Sequence, residues 1–198
     1  ACNVCVWFDA GQDRFVSSTA IADTLPEWAS VGSHEAVLKK RESPWVPLDE
    51  KWLEEHALTK DSQEGEGDLA GLGTTFPHRA LNGKAFRATP MSDEVLFDLA
   101  IRAIDNEHPR LLTLSLSAHD MISHAFGPDS REAFDEILRL DRSLAIFLAE
   151  LDKRFPKGNY GVVLSADHGS VPMPEARSAL RSARPCGEND AYKRPCDT

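Results

Sequence analysis

Two short apolar runs flanking a long amphipathic helix constrain this chain more than any other feature. The first run, "RLLTLSLS" (Arg110–Ser117), stops at "AHDMISHAFGPDS"; the second, "NYGVVLSA" (Asn159–Ala166), stops at "DHGS". Between them, "DSREAFDEILRLDRSLAIFLAELDKRF" repeats Phe134, Ile137, Leu138, Leu144, Ala145, Leu148 and Leu151 at helical spacing. Asp129 and Glu132 have capping-box spacing at its start. Asp141 falls inside the apolar stripe, where a carboxylate needs a partner. Strand, helix, strand reads as a βαβ unit, whose parallel strands end on the same sheet edge. Ligands of open α/β sheets gather on that edge.

The remaining segments read as smaller elements. "NVCVWFDAGQDRFVSST" is a hairpin turning at Ala10–Asp13. "TLPEWASV" opens a short helix at Pro26 with Thr24 as a cap. A further short helix runs from about Leu48, with Trp45 and Trp52 as packing anchors. Thr59–Thr75 is polar and glycine-rich, which marks a surface loop. "TPMSDEVLFDLAIRAIDNEH" is a helix capped by Thr89 or Ser92, with Asp93 and Glu94 favouring the positive end of its dipole. Its inward face is Val95, Leu96, Leu99, Ala103 and Ile104.

The chemistry concentrates where the two apolar runs stop. Asp120 and His124 are four apart, so one helical turn can aim both at one ion. Asp167 and His168 are adjacent, so only an irregular loop can aim both inward. Carboxylate oxygen with imidazole nitrogen is a ligand mixture that suits zinc. Two such pairs suit two metals separated by roughly 3.5–4 Å, as phosphoryl-transfer enzymes use them. The competing reading is structural: Asp-His-Gly after a strand is also turn chemistry, with Gly169 supplying a positive φ. His34, His56, His78 and His108 read as surface residues.

Charge and cysteines narrow the classes. A formal net charge of −10 argues against a non-specific binder of nucleic acid or anionic membrane. It leaves anionic substrates open, because bound cations reverse the local sign. No run is long and apolar enough for a membrane span. Cys2 and Cys5 have zinc-knuckle spacing, whereas Cys186 and Cys196 are ten apart in a tail; free thiols or one disulfide fit better than a four-cysteine site.

"SLSAHDMISHAFGPDSREAFDEILRLDRSLAIFLAELD", followed by "VVLSADHGSVPMPE", resembles the alkaline phosphatase superfamily in its type I phosphodiesterase/nucleotide pyrophosphatase branch. Within that branch the run is most similar to bacterial alkaline phosphatases with a threonine nucleophile. "VWFDAGQDRFVSST" and "LPEW" resemble the segment those enzymes carry upstream. The resemblance implies an α/β fold, three-layer α/β/α with a mostly parallel sheet, and a two-zinc site. It assigns Asp120 and His124 to one zinc, and Asp167 and His168 to the other. It implies in-line attack on a small phosphate ester by a metal-activated hydroxyl, then hydrolysis of the phospho-enzyme, in a periplasmic or secreted protein.

The family's nucleophile, a further metal-binding aspartate and a Lys-x-Arg phosphate clamp precede the segment that matches Val4. The nucleophile is therefore expected upstream of residue 1, and a further zinc-binding histidine is expected from a later segment. Residues 1–175 are expected to form a partial alkaline-phosphatase-like domain, with 176–198 an aberrant or disordered tail. As such a fragment of a zinc-dependent phosphomonoesterase or phosphodiesterase, the isolated chain is expected to be inactive and poorly soluble. The alternative is a non-catalytic binding or scaffold domain on the same fold. A sulfatase or cofactor-independent phosphoglycerate mutase fits the "AHDMISHAFGP" string less well.

Overall fold

The computed structural model describes residues 3–30 and 33–175. The hairpin forms as its sequence predicts. β1 (Trp7–Asp9) pairs antiparallel with β2 (Arg14–Val16), with Phe8 opposite Phe15. Asp9 closes the turn: its Oδ1 accepts from the Gly11 and Gln12 amides at 2.8 and 2.9 Å. Those bonds hold the Asp9 carboxyl below its usual pKa. Phe8 meets Phe15 and Phe86 edge-on, at ring separations of 5.4 and 5.7 Å, which ties the hairpin to the core.

Helices supply the rest of the regular structure. α1 (Glu27–Ser30) follows Pro26, and α2 (Ser33–Glu42) carries an ion pair from Lys40 to Glu94. α3 (Glu50–His56) is capped by Asp49, whose side chain accepts from the Trp52 amide at 2.9 Å. α4 (Gly83–Arg87) is capped by Asn82. α5 (Pro90–Glu107) starts at Thr89 and ends at His108, which takes the left-handed conformation of a C-cap. Val95, Leu99, Ala103 and Ile104 are buried, as the spacing predicts. α6 (Ala118–Phe126) and α7 (Arg131–Arg154) follow.

α7 corrects the sequence reading in three places. Its N-cap is Ser130, whose hydroxyl accepts from the Ala133 amide at 3.1 Å, and Asp129 stands one residue outside. Asp141 is exposed, as are Ile137 and Ala145. The face turned inward over the first turns is instead acidic: Glu132, Asp135 and Glu136 are at most 1% exposed. Each is bonded to a distant segment, which is what permits burial of a carboxylate. Asp135 accepts from Trp45 Nε1 at 2.6 Å, the Leu48 amide at 2.5 Å and Arg139 Nε at 2.7 Å. Glu132 meets His78 Nε2 at 3.1 Å, and Glu136 meets His119 Nδ1 at 2.7 Å.

His78 is therefore fully buried, against the surface position read from the sequence. Its backbone forms an isolated antiparallel bridge with Trp45, and its Nδ1–H donates to the Leu72 carbonyl at 3.0 Å. Trp45, Phe76 and Phe126 surround the ring. The same bond pulls Leu72 of the glycine-rich loop into the core, so Thr59–Thr75 is not wholly a surface loop. His34, His56 and His108 are exposed.

The two apolar runs form neither helix nor strand, and among the described residues the only sheet is the β1–β2 hairpin. The expected parallel pairing is not made. Parallel ladders are stable when both sheet faces are covered. Here Leu111 is 82% exposed and Val163 93%. Leu111 and Leu112 border an open groove of about 800 Å³ shared with Val4, Val6, Leu96 and Leu99. The architecture is thus an incomplete α/β fold, helices around a small sheet. The tail 176–198, with Cys186 and Cys196, and Cys2 lie outside the described residues; Cys5 is a free thiol.

Candidate metal centre

α6 places the first acid–imidazole pair. Its inner face, Ala118, Ile122 and Phe126, is fully buried, while Asp120 and His124 rise from the opposite face one turn apart. The N-cap Ser117 makes no side-chain cap bond. Asp93 of α5 does that work from outside the helix, accepting from the Ser117 and Ala118 amides. Burial, then the nearby Glu136 charge, pushes the Asp93 carboxyl up to about 7. Gly127 ends the helix with φ 93°, and a Cβ there would lie 2.7 Å from Met173 Sδ. This contact ties the chain beyond the second pair to the end of α6.

The second pair sits on a stretch that is exposed from residue 161 to 171. The His168 amide donates to Asp167 Oδ1 at 3.1 Å, and the His168 ring lies 3.1 Å from the Gly169 carbonyl through Nδ1. A carbonyl only accepts, so Nδ1 carries the proton and Nε2 keeps its lone pair. The Gly169 bond, then the Asp167 charge, raises the His168 pKa. Gly169 is not among the glycines with positive φ, so the turn reading has no left-handed residue to rest on.

Three of the four sequence-predicted residues, Asp120, His124 and His168, meet at one rim, with Asp167 beside His168. Asp120 Oδ1 lies 3.4 Å from His124 Nε2 and 3.5 Å from His168 Nε2. Donor atoms of Asp120, His124 and His168 all fall within 4.8 Å of one another, a grouping of three found nowhere else among the described residues. Asp167 Oδ2 is 3.6 Å from His168 Nε2 and outside that group of three. These separations exceed the usual 2.7–3.2 Å of an N–H···O bond. They leave the Asp120 oxygen between two imidazole nitrogens without a close hydrogen bond to either. The donor set, one carboxylate oxygen and two imidazole nitrogens, all exposed, fits zinc chemically.

The comparisons with known proteins agree on the class. The fold is that of an alkaline phosphatase: the crystal structure of wild-type alkaline phosphatase PafA superposes with a TM-score of 0.80 at 32% identity, over 89% of this chain and 36% of that one. The family described as type I phosphodiesterase / nucleotide pyrophosphatase matches residues 4–191, and this chain belongs to it. It is thus a member of a family of phosphate ester hydrolases. Alkaline phosphatase PafA of Elizabethkingia meningoseptica is 35% identical over 182 residues, 83% of this chain and 33% of its own length. Alkaline phosphatase PhoV of Synechococcus elongatus is 32% identical over 200 residues, 93% of this chain and 35% of its own. The chain spans about a third of the length of these curated relatives. Among the described residues no helix is long and apolar enough to cross a membrane.

Sequence reasoning missed the support beneath the rim. Asp93 and Glu136 hold the start of α6 through the Ala118 amide and the His119 ring, and nothing in a hydrophobic pattern marks an acid that faces inward. "AHD" held one signal, a second imidazole beside Asp120.

Proposed function

We propose that this chain carries part of the zinc site of a phosphate ester hydrolase of the alkaline phosphatase type. The observation that carries the reading is the convergence of Asp120, His124 and His168, drawn from two sequence-distant places onto one exposed rim. Asp120 and His124 would hold one zinc, and Asp167 and His168 a second, as the family resemblance implies. Bound zinc supplies charge for phosphate oxygens and an activated nucleophile.

The chain's own residues do the holding. Asp120 offers negative charge toward both imidazoles. The Gly169 carbonyl fixes the His168 tautomer, so that Nε2 is free to ligate. Exposure of the rim leaves room for a small phosphate ester and for the further ligands that each ion requires. No nucleophile is assigned among the described residues. Residues 1–175 are read as a partial alkaline-phosphatase-like domain. The alternative, a scaffold without metal chemistry, needs no zinc affinity at this rim.

Calorimetric titration of zinc into the chain tests the proposal. Binding is expected in the native sequence and is lost in Asp120→Ala and His168→Ala. Equal heats in all three sink the assignment.

A further inference from the structure

The start of α6 is placed by contacts from other helices. The preceding run, 111–117, makes no sheet ladder among the described residues, and Ser117 contributes no side-chain cap. Two acids from other helices fill the gap. Asp93 takes the backbone amides, and Glu136 takes a side chain: its Oε2 accepts from His119 Nδ1 at 2.7 Å. The other ring nitrogen, Nε2, lies 3.3 Å from Ser123 Oγ, one turn along the same helix. His119 is therefore gripped at both nitrogens, once by α7 and once by its own helix.

Glu136 is 1% exposed and sits near the Asp93 carboxyl. A buried carboxylate beside another acid is unfavourable unless a donor holds it. The His119 imidazole is that donor, which explains an acid at an inward position of α7. His119 and Asp120 are consecutive, so their side chains leave the helix about 100° apart. Rotating or sliding α6 to move Asp120 would pull His119 off Glu136.

We propose that Glu136, acting through the His119 imidazole, is a positioning residue that sets where Asp120 and His124 stand for metal capture. It rests on the metal-site reading above. Glu136 is not a ligand and does not face the rim.

The test uses the full 198-residue chain, with zinc affinity measured by calorimetry and amide hydrogen exchange of Met121 to His124 followed without metal. Glu136→Ala is expected to weaken zinc about tenfold, at the lower end of the range for residues that support metal ligands, and to speed that exchange. Glu136→Gln keeps an oxygen for the His119 N–H and is expected to stay near native on both readouts. Glu136→Leu fills the volume without an acceptor and is expected to lose affinity as Ala does. Should Ala unfold the chain, the Gln and Leu pair still decides the matter. Native affinity in Glu136→Leu assigns the position to packing and overturns the proposal. Zinc affinity unchanged in Glu136→Ala but lost in Asp120→Ala overturns the positioning role alone. If Asp120→Ala keeps its zinc, the metal reading fails, and unchanged exchange in Glu136→Ala then removes the anchoring role as well.

Discussion

Asp120 and His124 ride on a helix whose inner face is fully buried, whereas Asp167 and His168 ride on a stretch exposed from residue 161 to 171. The helical pair takes its spacing from the α-helix and its place from α5 and α7. The other pair is held mainly by its own neighbours: a bond to its own amide, another to Gly169, and the approach of Met173 to Gly127. One half of the rim is thus stored in packed structure, and the other half in local backbone. Preorganised donors bind with less ordering loss, so the two pairs should respond unequally to the same substitution.

The largest effect is expected beneath the helical half. Asp135→Ala strips the acceptor from Trp45 Nε1, the Leu48 amide and Arg139 at once. It should lower unfolding free energy by about 3–5 kcal/mol in urea titrations. A loss below about 1 kcal/mol would mean that the buried acid face is not what holds α7.

Next, Asp120→Ala should weaken zinc by about 100-fold, or about 2.7 kcal/mol. Asp167→Ala should weaken it by no more than about tenfold, or about 1.4 kcal/mol. Equal losses would erase the contrast between the two pairs.

A smaller effect concerns the glycine-rich loop that packs on α6. Both carboxyl oxygens of Glu66 are buried, and burial, then the Glu132 charge, pushes its pKa up from 4.5 to about 8. The folded state then holds this proton more tightly than the unfolded chain does. Its contribution to stability therefore falls as pH rises from about 4.5 to about 8. Glu66→Gln should stabilise the chain by about 1–2 kcal/mol above that window and by almost nothing below it. Thermal melts across the range check this, and a gain that is flat with pH contradicts it.

The smallest change is expected in the exposed stretch. Val163 is 93% exposed, so Val163→Ser should alter stability by under about 0.5 kcal/mol. A larger loss in chemical denaturation would show that this run is packed in solution, and it would bring the two halves of the rim closer in kind.

Much of this was legible in the one-dimensional pattern. The hairpin announced itself by alternation around a Gly turn, and α5 by its apolar period with Thr89 and Pro90 at its start. The Asp120/His124 spacing implied one helical turn, which α6 supplies, whereas the approach of His168 was read from a shared sheet edge that does not form among the described residues. α2 was missed because Val37 is its one residue that is both apolar and buried, which leaves no period to read. α4 is too short for a period, and only its Asn82 cap marks it.

Local chemistry therefore determined where the hairpin turns and where α5, α6 and α7 form, because spacing, caps and apolar period act over a few neighbours. The partners of His78, Glu132, Asp135 and Glu136 were settled only in three dimensions. An inward carboxylate is tolerated solely when a donor from far along the chain arrives to meet it, and no local pattern records that arrival. The same holds for the two apolar runs: the sequence supplies strand-forming residues, but a ladder exists only where a neighbouring strand offers its hydrogen bonds.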